Sequence, residues 1–123
     1  QGVLGRYPGT ESAKTADLRI RDLENRFAIK EYKAALYYIR FKALDSAILY
    51  LRNIIATWPR AETVPDALDK LVAAYRTLGY VEDTNETCAY FRRQWPDSPK
   101  LAVSCPESKD SVAAPAAEIK KGP

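Results

Sequence analysis

The chain has 123 residues, of which 46% are hydrophobic and 28% charged, and its formal net charge at pH 7 is +3. This length accommodates at most one domain with a tail, and the apolar fraction suffices for a packed core. The weak charge argues against a nucleic-acid partner, and no stretch approaches the ~20 apolar residues of a membrane-spanning helix.

The first predicted element is one long helix from Thr10 to about Lys42, because no helix-breaking residue interrupts that stretch. Apolar residues recur in it at helical spacing, and any bend is expected near Ala28. The recurring residues are Ala16, Ile20, Leu23 and Phe27, followed by Tyr32, Leu36 and Ile39. Two acid–arginine pairs four residues apart stabilise its solvent face, Asp17 with Arg21 and Asp22 with Arg26.

Three shorter helices are predicted to follow, over about 44–57, 64–78 and 82–94. Thr63 is expected to cap the second of these through its side chain, with Pro65 in the first turn and Gly79 as the left-handed stop. Each helix carries an apolar stripe that needs a partner helix. The stripes comprise Leu44, Ala47, Ile48, Leu51, Ile55 and Trp58, then Leu68, Leu71, Val72, Tyr75 and Leu78, then Thr87, Cys88, Phe91 and Trp95.

An aromatic–proline phrase occurs three times, at Tyr7-Pro8, Trp58-Pro59 and Trp95-Pro96. Each copy ends one helix, and the small polar residues after it prepare the next. The last two copies start 37 positions apart (95 − 58), near the period of tetratricopeptide repeats. We therefore predict an all-α solenoid of tetratricopeptide-like helical hairpins, with one long helix, three shorter helices and an irregular C-terminal tail.

The predicted organisation has three parts: residues 1–9 as the end of a preceding repeat, 10–99 as the repeat domain, and 100–123 as an Ala/Pro-rich irregular tail. The chain contains no methionine, so we expect a processed product or a fragment, and favour a fragment. Alone, a tail of this composition is expected to be disordered. Either a Cys88–Cys105 link or a partner surface is expected to order it.

The two cysteines, Cys88 and Cys105, allow two interpretations. One is a buried thiol and a separate thiol in the tail. The other is a disulfide that pins the tail to the last helix, which would contribute roughly 3 kcal/mol and imply an oxidising compartment such as the periplasm. Two cysteines alone leave both open.

Catalytic motifs are missing from the sequence. The chain has no histidine, no glycine-rich phosphate loop and no Cys-x-x-Cys pair, and Cys88 has no apparent activating base. We predict a protein that is not an enzyme and that binds no cofactor and no metal. The chain is instead rich in aromatic residues, which with arginine are favoured at protein interfaces. Four residues beside the apolar stripes are the predicted partner contacts: Tyr37, Arg40, Tyr50 and Arg52.

Several segments occur in an informative order along about Val3 to Leu101. These are Ile20-Arg21-Asp22-Leu23-Glu24, Ala35-Leu36-Tyr37-Tyr38, Ala47 through Ile55 with Trp58-Pro59, Ala74-Tyr75-Arg76 with Leu78-Gly79, and Tyr90-Phe91-Arg92 with Trp95-Pro96. In this order they resemble the C-terminal half of the BamD family, tetratricopeptide lipoproteins of the outer-membrane β-barrel assembly machine.

This resemblance implies a scaffold on the periplasmic side of the outer membrane that docks on the POTRA domains of the barrel-forming subunit. It also implies membrane association only through a lipid anchor or a partner, neither of which this chain contains. One departure concerns the second helix, where the family often has a basic residue facing the barrel-forming subunit. Tyr50 occupies that position here. Arg52 lies ~200° further around the helix and cannot simply replace it.

Two other functions remain open at this point. One is a tetratricopeptide-like structural subunit that stabilises another large envelope or membrane complex, a hypothesis motivated by the tail. The other is a standalone enzyme, which an activity abolished by Cys88→Ser would support.

Overall fold

Five helices follow one another through residues 11–106, the part of the chain that the computed structural model describes. They are α1 (Glu11–Arg40), α2 (Leu44–Thr57), α3 (Val64–Leu78), α4 (Val81–Gln94) and α5 (Pro99–Ser104). Each helix packs on the next one along the chain, and no strand occurs within these residues. The predicted all-α fold, with one long helix and then three shorter ones, is confirmed.

The helix ends differ from the prediction mainly at the tail. Helix α1 is continuous through Ala28. The prediction that the chain is irregular from residue 100 onward is wrong for residues 100–104, because Pro99–Ser104 is helical. Ser98 caps this helix, its hydroxyl accepting a hydrogen bond from the Lys100 backbone N–H at 3.2 Å. Residues 1–10 and 107–123, which hold the predicted preceding repeat and the remainder of the tail, lie outside the described residues.

The core lies between α2, α3 and α4. Its largest fully buried side chains are Phe91, Leu51, Ile54, Leu68, Val64 and Val72. Ile54 and Thr84 are buried although the stripes did not include them, whereas Trp58 and Trp95 are only half-buried. In α1, whose residues the structure describes in full, only Ala28 and Ala35 are buried. These small side chains let α2, its main neighbour, approach closely.

The N-terminal half of α1 keeps a row of apolar side chains exposed. Leu18 is 65% exposed, Ile20 49%, Leu23 51% and Phe27 53%. Phe27 stacks on Trp58 with ring centroids 6.1 Å apart. The helical spacing predicted for these residues is therefore present, but no described element covers most of their surface.

Ion pairs form on the exposed surface of α1. The predicted pairs are present, with Arg21 Nε 3.4 Å from Asp17 Oδ2 and Arg26 Nη2 3.0 Å from Asp22 Oδ2. Arg60, in the turn after α2, reaches Glu24 Oε1 at 3.3 Å. All these side chains are partly exposed, so each pair contributes only a few tenths of a kcal/mol.

Helices α1 and α3 end in the same type of turn, in which a residue just beyond the helix lies in the left-handed region. This residue is the second after α1 and the first after α3. Gly79 has φ +78° as predicted, and Lys42 has φ +64°. Four backbone hydrogen bonds of 2.9–3.0 Å form the two turns, from Lys42 to Ile39, Ala43 to Tyr38, Gly79 to Arg76 and Tyr80 to Tyr75. These pairings define a Schellman motif. The two turns thus make the same hydrogen bonds. They differ in that the left-handed position holds Lys42, which has a side chain, in the first turn and Gly79, which has none, in the second.

Thr63 stands at the predicted start of α3, but the prediction that its side chain caps the helix is wrong. Its backbone is already helical, with φ −78° and ψ −14°, and its side chain makes no capping hydrogen bond. A capping residue normally has an extended backbone, which aims its oxygen at the free N–H groups. Here the Val64 N–H donates instead to the Ala61 carbonyl at 3.0 Å.

The segment Pro99–Cys105, here called the C-terminal strap, is fastened across α3 and α4. Cys105 forms a disulfide with Cys88 of α4, and Leu101 packs against the core. Three polar contacts hold the strap to α3: Lys100 Nζ lies 3.3 Å from Asp66 Oδ1, the Ser104 carbonyl accepts from Arg76 Nη1 at 2.6 Å, and the Ser104 hydroxyl donates to Asp69.

Tyr32 of α1 reaches the same side of α3. Burial raises the pKa of Tyr32 to about 12, and the charges of Asp66 and Asp69 add to the rise. The two aspartates therefore lie between α1 and the strap, and they interact with both.

We expect Lys42→Gly to stabilise the protein by about 1 kcal/mol, because glycine adopts the left-handed conformation without steric cost. Gly79→Ala should destabilise it by a similar amount through the backbone alone, since an added Cβ would meet nothing within 4 Å. Urea unfolding measures both. Lys42→Ala is the matched control, because it removes the charge but keeps Cβ. A Lys42→Gly variant no more stable than Lys42→Ala would contradict the assignment.

Reduction of the Cys88–Cys105 disulfide should lower the free energy of unfolding by roughly 3 kcal/mol, because the bond restricts the unfolded chain. Urea unfolding with and without a dithiol reductant provides the measurement. The double variant Cys88→Ser, Cys105→Ser is the control and should not respond to the reductant. Identical midpoints and slopes for the oxidised and reduced protein would show that the strap contributes nothing through this bond.

Stability should fall as the pH rises from about 10 through 12, because Tyr32 stays protonated in the folded protein while the unfolded chain ionises. Below pH 10 both states hold the proton, and Tyr32 contributes no pH dependence. Tyr32→Phe should therefore lose less stability between pH 9 and pH 11.5 than the unmodified chain, as measured by urea unfolding at each pH. Equal losses in the two proteins would contradict a protected Tyr32 hydroxyl.

Candidate functional site

Four aromatic side chains gather where α1 ends and α2 runs past it. This aromatic corner consists of Tyr37, Tyr38, Phe41 and Tyr50. The ring centroids of Tyr37 and Phe41 lie 4.9 Å apart, those of Tyr37 and Tyr38 5.5 Å, and those of Tyr38 and Tyr50 5.1 Å. The rings therefore form one continuous cluster that joins the two helices.

The local sequence dictates this cluster. Phe41 directly follows α1, and its N–H still donates to the Tyr37 carbonyl at 3.3 Å, so the two side chains lie on the same side of the helix end. The Schellman turn at Lys42 then reverses the chain and starts α2 at Leu44, which brings Tyr50 beside Tyr38. The backbone turn and the ring contacts thus specify the same arrangement.

Much of the aromatic corner faces solvent. Tyr37 is 54% exposed and Phe41 is 62% exposed, while Tyr38 and Tyr50 are half-buried beneath them. Exposed single apolar residues are ordinary, but contiguous aromatic side chains of this kind are typical of protein interfaces. The corner thus offers a rigid apolar contact area with hydroxyl groups at its edge.

The corner is neutral at physiological pH. The neighbouring Tyr38 hydroxyl raises the pKa of Tyr50 above its ordinary value, and burial and Glu31 add to the rise. Glu31 itself accepts a hydrogen bond from Asn53 Nδ2 at 3.1 Å. A partner at this surface would therefore meet aromatic rings and neutral hydroxyls, with the exposed Arg40 and Lys42 beside them.

The structure brings only part of the predicted contact set together. Tyr37 and Tyr50 both belong to the aromatic corner, linked through Tyr38. Arg40 is exposed in the last turn of α1. Arg52 lies elsewhere, with its guanidinium next to the Tyr75 hydroxyl on α3. The four residues therefore do not form one patch.

Tyr38 and Phe41 were not among the predicted site residues. Phe41 could have been found, because it stands four residues after Tyr37 within the predicted first helix. Tyr38 owes its role to its contact with Tyr50, which depends on how α2 packs and has no signal within α1 alone.

Neither a metal centre nor a membrane-spanning helix occurs in the part of the chain that the structure describes. Residues 11–106 contain no group of three or more histidine, cysteine or acidic side chains placed to hold a metal ion. None of the five helices combines the length and hydropathy that crossing a bilayer requires.

Comparison with known proteins gives consistent matches. Residues 1–90 match the model of the family YfiO, described as outer membrane lipoprotein. The chain is 30% identical over 105 residues to the outer membrane protein assembly factor BamD of Xylella fastidiosa strain 9a5c, covering 85% of this chain and 36% of that protein. It is 31% identical over 94 residues to BamD of Caulobacter vibrioides, covering 76% of this chain and 31% of that protein.

A third relative is BamD of Vibrio cholerae, 31% identical over 85 residues, which covers 69% of this chain and 35% of that protein. The chain therefore spans about a third of the length of the curated relatives it matches. Each of these three is named an assembly factor, and none of the names denotes an enzyme.

Proposed function

The chain belongs to the YfiO family of outer membrane lipoproteins, and we propose that it is a non-enzymatic docking subunit in the assembly of outer-membrane β-barrel proteins. In this role it acts on the periplasmic side of the outer membrane. It binds the POTRA domains of the barrel-forming subunit, and the aromatic corner is the contact surface. Its partners are proteins, and any attachment to the membrane is made through a lipid anchor or through those partners.

The exposed aromatic corner is the observation that carries this proposal. Aromatic side chains dominate interface energetics because they bury a large area at a small cost in conformational entropy. Here the cluster is held by two helices and a fixed turn, so little ordering is needed on binding. Because the corner is uncharged, we expect the partner to meet it with apolar or hydrogen-bonding groups. The oxidising periplasm is also a compartment in which the Cys88–Cys105 disulfide persists.

Replacing the corner should weaken binding to the POTRA domains about tenfold or more, the effect of losing an interface hot spot. One variant, Tyr37→Ala with Phe41→Ala, removes two rings of the corner. The other, Tyr37→Ala with Arg40→Ala, removes one ring and the exposed arginine three residues after it. Binding of purified POTRA domains from the same organism is measured by pull-down and by titration calorimetry. Circular dichroism verifies that each variant keeps its helices.

Two controls separate this surface from the rest of the chain. Leu18 is also exposed on α1 but lies roughly 28 Å along the helix from Tyr37 at 1.5 Å per residue, so Leu18→Ala should bind normally. Arg52→Ala should bind normally as well, because Arg52 faces α3. Unchanged binding by both corner variants would refute this surface. Co-purification with an envelope complex that lacks a β-barrel subunit would refute the proposed role.

A further inference from the structure

A second surface lies between α2 and α4, with α3 as its floor. This central groove has a volume of about 270 Å³. Leu68, Leu71 and Tyr75 form the buried floor, Arg52 and Ile55 lie on the α2 side, and Asp83, Glu86 and Tyr90 lie on the α4 side. The volume falls just below the roughly 300–1,000 Å³ of small-molecule pockets, and suits a single long side chain.

The charges of the groove converge on one point. Burial raises the pKa of Tyr75, Arg52 opposes that rise, and Asp83 and Glu86 reinforce it. All three charged side chains therefore act on the Tyr75 hydroxyl from the two walls. Two carboxylates face one guanidinium, so the lining has an excess of negative charge.

The carboxylates have no cationic partner within the described part of the molecule. The ion pairs of residues 11–106 involve other acids, and none joins Arg52 to Asp83 or Glu86. The acids on the other side of α3 are different, since Asp66 pairs with Lys100 and Asp69 accepts from Ser104. Asp83 and Glu86 thus offer unused acceptors beside an apolar floor.

We propose that the central groove binds one arginine side chain projecting from a partner protein, with apolar residues on either side of it. The aliphatic stem lies along Ile55 and Leu71, where it loses little solvation. The planar guanidinium meets the carboxylates of Asp83 and Glu86 with several hydrogen bonds at once, which a lysine ammonium cannot do equally well. This contact is separate from the aromatic corner and goes beyond the docking role proposed above.

The probes are two capped tripeptides, acetyl-Leu-Arg-Leu-amide and its neutral counterpart acetyl-Leu-Gln-Leu-amide. Each is titrated into the isotope-labelled 123-residue chain, and backbone amide shifts are followed by NMR. The arginine peptide should shift the amides of Ala56, Glu86 and Thr87 with an apparent Kd about tenfold lower than that of the glutamine peptide, the expected effect of a charge-assisted bond.

Neutralising the two groove carboxylates should lower the affinity for the arginine peptide by a similar factor. The double variant Asp83→Asn, Glu86→Gln should bind the arginine peptide about tenfold more weakly than the unmodified chain. Glu82→Gln is the matched control, since it removes an exposed acid from the same helix that does not line the groove, and it should bind normally. Tyr37→Ala should also bind normally, which keeps this test independent of the aromatic corner.

Three results would overturn the proposal. Equal binding of the two peptides to the unmodified chain would show that the carboxylates are not used. Groove signals that move with protein concentration would assign the groove to a second copy of the chain. Groove signals that move on deletion of residues 107–123 would assign it to a lysine of the chain's own C-terminal segment, which holds Lys109, Lys120 and Lys121.

Discussion

Helix α3 buries seven of its fifteen residues, and α2, α4 and the C-terminal strap each pack on a different part of it. A helix of this kind is stable only while its neighbours cover it, because an apolar surface so wide is costly to expose to water. The positions of α2, α4 and the strap are in turn set by their packing on α3. The groove between α2 and α4 exists because α3 separates those helices, and the strap lies where Asp66, Asp69 and Arg76 of α3 can hold it.

The sequence predicted the elements well because helix ends depend on local chemistry. Trp58-Pro59 and Trp95-Pro96 end their helices whatever the tertiary contacts, and Gly79 permits the left-handed turn without any tertiary contact. The failures concern residues whose conformation depends on distant parts of the chain. Thr63 was expected to cap α3, but the turn from Ala61 gives it a helical backbone. The strap was expected to be irregular because its composition does not reveal α3 beneath it.

The candidate site was only half predictable for the same reason. The spacing of Tyr37 and Phe41 is local to the end of α1, whereas the contact of Tyr38 with Tyr50 requires two helices to pack together. Tyr50 and Arg52 are two residues apart on α2 and consequently face different neighbours. Helix α2 therefore contributes Tyr50 to the aromatic corner and Arg52 to the charged groove. Salt screens the second kind of contact and leaves the first nearly unaffected, so the two surfaces can respond separately to the ionic strength of the surroundings.

The disulfide also determines how the molecule carries mechanical load. Cys88 lies in the middle of α4 and Cys105 at the end of the strap, 17 positions later. Tension applied to the chain beyond Cys105 therefore passes through the sulfur atoms directly into α4. The intervening residues, including the last turns of α4 and all of α5, carry none of it. In the oxidised state, pulling from that end cannot peel the strap away from α3 residue by residue, and α4 must yield first.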